Sequence, residues 1–195
     1  MPKQFWKPNT LISPVPPAMV SCGTPDAPNI ITVAWTGIVN SNPPMTYISV
    51  RPERYSHHII SESGEFAVNL TTRELVRAAD FCGVRSGRDI NKFEALSLTP
   101  LPSSTISAPI IAESPLSFEC RVTEVKHLGS HDMFLALITG VQVEESLIDK
   151  NGRLRIDRAG LAAFAHGEYF ALGERLGSFG YSVRKKPQKS ARKTK

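Results

Sequence analysis

The chain has 195 residues, 41% of them hydrophobic and 21% charged, which gives it the apolar material for a core and argues against wholesale disorder. That length suits one medium domain, and no apolar run approaches the ~18–20 residues of a membrane-spanning helix. The formal net charge of +5 is uneven, because residues 184–195 hold seven Lys or Arg and no acid. Removing them leaves 16 basic against 18 acidic residues, a body of net −2. A domain over 1–183 followed by a disordered, solvated basic tail is therefore expected. The alternative role for the tail is contact with nucleic acid or an anionic surface. The body has no zinc-finger spacing and no RNA-recognition signature, so nucleic-acid binding is not expected of it. The first residues, Met1-Pro2-Lys3-Gln4-Phe5-Trp6, lack the apolar core of a secretion signal. Cys22, Cys82 and Cys120 are widely spaced and form no CxxC, which argues against a disulfide scaffold and for a reducing cytoplasm.

Fifteen Pro and thirteen Gly cut the chain into short pieces, most of which read as strands. Residues 19–22, 30–35 (IITVAW), 45–50 (MTYISV) and 66–70 are apolar or β-branched runs bounded by Pro, Asn or Gly. Tyr55–Ser63 reads as a short helix with Ser56 as its cap and Gly64 as its stop. Residues 72–82 place Leu75, Ala78, Ala79 and Cys82 on one helical face, with Gly83 as the stop. Residues 91–96 allow about one and a half further turns. The Pro/Ser-rich stretch 99–109 reads as a loop inside the domain.

Residues 116–123 alternate Leu116, Phe118, Cys120 and Val122 with Ser117, Glu119, Arg121 and Thr123, a strand with one buried face. The phase breaks at Val125, which predicts a bulge. Residues 133–143 form a second long strand, since Thr139-Gly140 interrupts any helix and the run ends in alternation. Residues 160–172 give no clear reading. Many strands with short inserted helices and no βαβ alternation predict a mainly β barrel or sandwich.

No G-x-G-x-x-G, P-loop or G-x-S-x-G occurs, so dinucleotide-fold dehydrogenases, P-loop NTPases and α/β-hydrolases lack their signatures. His127 and His131 stand four apart but flank Gly129 without an HExxH pattern, and a polar turn is the better reading than a metal site. Three polar clusters remain. One is Asn29-Ile30-Ile31-Thr32-Val33-Ala34-Trp35-Thr36, where a small residue beside Trp35 lets something planar approach the backbone closely, unless this is an ordinary core strand. The second, Ser49-Val50-Arg51 through Ser56-His57, combines a strand end, a guanidinium and a helix start, all of which favour an anion. The third, residues 84–93, is a Gly-containing loop with three cations that includes Ser86 and Lys92.

In this order, residues 14–21 (PVPPAMVS), 29–35 (NIITVAW), 43–50 (PPMTYISV), 54–59 (RYSHHI), 63–69 (SGEFAVN), 86–93 (SGRDINKF) and 127–134 (HLGSHDMF) resemble the flavin-reductase-like FMN-binding split-barrel family, and its flavoredoxin-like branch in particular. The resemblance implies a split β-barrel of Greek-key type with short inserted helices, a homodimer, and FMN near the subunit interface. It implies that Thr32, Val33, Ala34, Trp35 and Thr36 pass the isoalloxazine. Ser49, Val50, Arg51, Ser56 and His57 would serve the ribityl chain and phosphate, and Ser86 and Lys92 would complete the phosphate site. The implied activity is NAD(P)H-dependent flavin reduction or flavoredoxin-like electron transfer. NADH or NADPH would be the donor, and free flavin or a redox protein the acceptor. Hydride transfer to a flavin needs no side-chain acid or base, so no catalytic residue and no metal ligand is named. The alternative is a barrel of the same shape that binds flavin or another ligand without catalysis.

Overall fold

The computed structural model describes residues 1–184, so the expected basic tail, Arg184 apart, lies outside the described residues. Strands β1 (Ala18–Thr24), β2 (Ala27–Val33), β3 (Thr36–Ser41) and β4 (Pro44–Val50) come first, followed by helix α1 (Tyr55–Ser63) and β5 (Glu65–Asn69). Helices α2 (Val76–Val84) and α3 (Lys92–Leu96) precede the two-residue strands β6 (Pro100–Leu101) and β7 (Ile110–Ile111). The long strands β8 (Leu116–His127) and β9 (Asp132–Val143) and the hairpin β10 (Ala162–Ala165) and β11 (Glu168–Ala171) complete the chain.

Seven strands form one antiparallel sheet in the order β2-β1-β5-β8-β9-β4-β3. Its two edge strands, β2 and β3, are consecutive in sequence and separated only by Ala34 and Trp35. A sheet whose outermost strands are tied by two residues has to curl back on itself. The result is a barrel split at Ala34-Trp35, as expected of a mainly β split barrel. Inside it pack Val20, Ile31, Ile48, Phe66, Phe134 and Ala136, and α1 inserts Ile60, with no exposed surface, into the same core. The opposite face of β1 and β2 is also covered. Met19 and Ile30 pack under α2 and α3 with Leu75, Ala79, Cys82 and Phe93. Burial on both faces explains why residues 18–22 run apolar without alternation.

Several expectations change. β2 ends at Val33, so Ala34 and Trp35 belong to the split and not to a strand. Helix α2 starts at Val76, because Thr72 is drawn into a bridge with Leu161, and it runs through Gly83 to an extended Arg85. Ser56 does not cap α1. The N-cap is Arg54, without a side-chain cap, and the Ser56 hydroxyl instead accepts a hydrogen bond from Asn29 Nδ2 at 2.8 Å. Gly64 does end α1, in the left-handed conformation. In β8 both faces are buried at first. Glu119 is wholly buried beneath the loop after β6, taking hydrogen bonds from Ser104 N, Thr105 N, Thr105 Oγ1 and Gln142 Nε2 at 2.6–2.8 Å. The β8 register shifts between Glu119 and Cys120 and between Val122 and Glu124, before Val125 and not at it. The unread region 160–172 is a hairpin whose turn, His166-Gly167, has positive φ at both residues, the backbone twist a tight hairpin prefers.

Candidate functional site

The split opens into a cleft with two compartments. The narrower, about 160 Å³, is lined by residues 31–35, by Ser49, Val50, Arg51 and Arg54, and by His131. The larger, about 350 Å³, is walled by Glu53 and the start of α1 (Arg54, Tyr55, Ser56), the end of α2 (Cys82, Gly83), the loop Arg85-Ser86-Gly87-Arg88, and Lys92. Ile31 and Arg54 line both, so the slot and the basic lobe adjoin.

In the lobe, Lys92 is 3% exposed. Its Nζ donates to Ile30 O at 2.6 Å and Cys82 O at 2.9 Å, which staples β2 to the C-terminal end of α2. An ammonium has three protons, so one remains, and no carboxylate among the described residues pairs with it. Burial lowers its pKa below 10.5. The Ser56 hydroxyl accepts from Asn29 at the wall of the same lobe. Helix α1 presents its uncapped N-terminal end to the same space, where amide donors and the helix dipole favour an anion. Arg54, Arg85, Arg88 and Lys92 on the walls outnumber the single carboxylate, Glu53, which is drawn toward Arg51 at 3.6 Å, so the lobe suits a phosphate-sized anion.

The slot differs in character. Small and β-branched residues (Thr32, Val33, Ala34, Ser49, Val50) line it beside Arg51 and Arg54, and the Trp35 ring centroid lies 4.3 Å from that of His131. Burial first, and the Arg51 cation second, lower the His131 pKa below 6.5, so this ring is neutral at neutral pH. Thr32 Oγ1 is turned away, donating to Ala79 O at 2.6 Å. A narrow slot adjoining a basic lobe fits a flat ring system carrying a phosphate.

Of the residues singled out from sequence, Thr32, Val33, Ala34, Trp35, Ser49, Val50 and Arg51 line the slot, and Ser56, Ser86 and Lys92 line the lobe. Two stand outside both. Thr36 donates to Tyr47 O at 2.6 Å and faces an apolar hollow at the barrel end. His57 Nε2 lies 2.8 Å from Asp132 Oδ2, and because a carboxylate only accepts, that nitrogen carries the proton. Asp132 holds His127 Nδ1 in the same way, at 2.8 Å. This His–Asp–His clamp ties α1 to the β8–β9 turn. Arg51 sits in the slot and meets Glu53 at 3.6 Å; the cation shared by both compartments is Arg54. Arg54, Arg85, Arg88 and His131 were not singled out. The segments of the three arginines are cation-rich and that of His131 is a polar turn, but which side chains turn inward depends on how α1 and the loop dock on β2.

Residues 12–172 match the family model described as "Flavin reductase like domain". The flavoredoxin of Desulfovibrio vulgaris (Miyazaki F) superposes with a TM-score of 0.86 and 33% sequence identity, over 93% of this chain and 100% of that one. An uncharacterized protein of Archaeoglobus fulgidus is 34% identical over 116 residues, which is 60% of this chain and 66% of that protein, so the chain spans just under two thirds of that relative. The FMN reductase (NADH) RutF of Agrobacterium fabrum is 24% identical over 122 residues, 60% of this chain and 67% of the reductase. The family match covers most of the chain, the fold is that of the family's split barrels, and the cleft suits a flat phosphorylated ring; the chain belongs to the flavin reductase-like family, whose chemistry is flavin-related redox.

Proposed function

We propose that the cleft holds FMN, phosphate in the basic lobe and ring in the slot, and that the protein is an FMN-dependent oxidoreductase using NADH or NADPH. The observation that carries this reading is that the slot and the basic lobe adjoin at Ile31 and Arg54. FMN held there would supply two-electron redox chemistry between a reduced nicotinamide and free flavin or a redox protein. The chain's own residues bind and orient. A phosphate monoester is close to a dianion at pH 7, with a second pKa of ~6. Lys92, Arg54 and the loop arginines offset that charge, while the Ser56 hydroxyl and the α1 amides share its oxygens. The backbone of residues 32–35 holds the ring edge, and the Trp35–His131 pair borders the slot without adding a further cation beside Arg51 and Arg54.

A homodimer belongs to the same reading. Trp35, Ile38 and Val39 at the split are exposed, and a second copy would cover them; light scattering would return roughly twice 21.4 kDa. The three free buried thiols suit the cytoplasm. The test is the absorbance of protein loaded with FMN and freed of excess, followed anaerobically by NADH and then NADPH. A retained flavin band that bleaches with one nucleotide supports the reading. No retained band and no turnover with free FMN would overturn it.

A further inference from the structure

Helix α1 begins without a side-chain cap, so its first turn is held from outside. Asn29 on β2 donates to Ser56. His57 is held by Asp132, the first residue of β9, with Nε2 and Oδ2 2.8 Å apart. The His57 ring stands edge-on to Phe134, centroids 5.2 Å apart. Arg54, Tyr55 and Ser56 at the same helix start wall the basic lobe.

Asp132 has a second hold, on the slot. Its other oxygen, Oδ1, accepts from His127 Nδ1 at 2.8 Å. The turn between those two residues is closed by Leu128 N donating to His131 O at 2.9 Å, and it carries His131 against Trp35 in the slot. Across the sheet Asp132 pairs with Val50, another slot residue. The carboxylate itself is buried and lines neither compartment. Among the described residues the titratable groups that act on it are the two imidazoles, whereas His131 feels Arg51 and Glu53.

A ligand that spans two compartments binds best when their spacing is fixed beforehand, because ordering them during binding costs free energy. We infer that Asp132 is the positioning residue of this cleft: one carboxylate that holds the lobe wall and the slot rim in register through His57 and His127. The inference rests on the FMN reading, since FMN is the ligand taken to span both. It gives His57 a role through α1 in place of a contact with phosphate.

The test compares wild type with Asp132→Asn in titrations with FMN, with riboflavin, which lacks the phosphate, and with inorganic phosphate, which lacks the ring. An amide of the same shape accepts from one imidazole and turns an N–H donor toward the other. FMN affinity falls about tenfold, the contribution of one charge-assisted hydrogen bond. Riboflavin and phosphate alone each lose no more than about twofold, since neither depends on the spacing. The FMN deficit deepens from about pH 8 to about pH 5.5, because a neutral imidazole can move its proton and accept from the amide and an imidazolium cannot. The ratio of the two proteins' affinities at each pH cancels the titration of the phosphate itself.

His127→Ala provides a second variant. That side chain is 79% exposed, so its loss spares the core, and it cuts the slot tie alone. It weakens FMN about threefold and leaves phosphate affinity unchanged; if Asp132→Asn does not fold, this variant decides. A loss for one half-ligand equal to that for FMN would confine Asp132 to a single compartment and overturn the coupling. A deficit that is flat with pH overturns the role of the two imidazoles. Unchanged FMN affinity in both variants overturns the inference and leaves the FMN reading intact, and a wild-type protein that binds no flavin overturns both.

Discussion

Replacing Gly87 by Ala probes how closely the anion-binding loop rests on the barrel. A Cβ at position 87 would lie 2.1 Å from Asn29 Oδ1, 2.7 Å from Asn29 Cγ and 3.0 Å from Tyr55 Cδ1. Asn29 is buried and donates to Ser56, so the amide cannot move aside and keep that bond. Overpacking of this kind costs roughly 1–3 kcal/mol, and the lost Asn29–Ser56 hydrogen bond adds about 0.5–1.5 kcal/mol. A total near 2–4 kcal/mol lowers the melting temperature by roughly 4–16 °C for a chain of this size. The sign is informative, because Gly→Ala at an unobstructed site stabilises by ~0.4–1 kcal/mol through the unfolded chain. Thermal unfolding of wild type, Gly87→Ala, Asn29→Ala and the double variant closes a mutant cycle. If contact with Asn29 is the cause, most of the penalty of Gly87→Ala disappears in the Asn29→Ala background, leaving only the Tyr55 contact. An equal penalty in both backgrounds, or a gain in stability, refutes the reasoning.

Other outcomes follow from the same geometry. Lys92→Met removes the buried ammonium and weakens FMN binding by roughly 1.5–3 kcal/mol, the worth of a hydrogen bond to a charged group; an unchanged affinity in fluorescence titration would place the phosphate elsewhere. Burial pushes the Glu119 carboxyl up, but the hydrogen bonds from Gln142, Ser104 and Thr105 outweigh it and hold the pKa below 4.5. With the folded pKa depressed, its stabilising contribution is complete above about pH 4.5 and is lost as pH falls through the folded value. Glu119→Gln should therefore flatten the acid limb of the stability curve measured by urea unfolding. Asp132, held below 3.8 because His127 and His57 outweigh the effect of burial, behaves in the same sense, and Asp132→Asn removes that part of the slope. Burial raises the thiols of Cys22 and Cys120 to about 12 and of Cys82 to about 11. At pH 8 a disulfide reagent should titrate no thiol in the native protein and all three in denaturant.

Much of the barrel was legible because its strands are short β-branched runs fenced by Pro and Gly, and local composition settles such pieces. What sequence could not show was decided over distance. Ala34 and Trp35 read as strand residues because they continue an apolar run; they leave the sheet only because β2 and β3 are its opposite edges. Glu119 read as a solvent-facing residue of an alternating strand, whereas a loop some fifteen positions earlier folds over it and supplies amide donors. Ser56 had the composition of a helix cap, but Asn29 on β2 reaches it first. At the cleft, the residue types were visible and their directions were not. Of the cations in residues 51–54 and 85–92, Arg51 looks into the slot, Lys92 is buried between strand and helix, and Arg54 borders both compartments. The family motifs brought ten of the twelve singled-out residues to the cleft, and Thr36 and His57 fell outside because each had a nearer hydrogen-bond partner.

The ammonium of Lys92 has one further consequence. The group that would neutralise a bound anion is also the rivet between the end of α2 and the barrel wall. Filling the cleft therefore acts on the backbone, since an anion that satisfies the third proton locks the head group that grips the carbonyls of Ile30 and Cys82. Ligand occupancy and the tightness of one helix end become a single variable. Hydrogen exchange should show the amides at the end of α2 slowing when inorganic phosphate or FMN is added, in a protein whose remaining fold is unchanged.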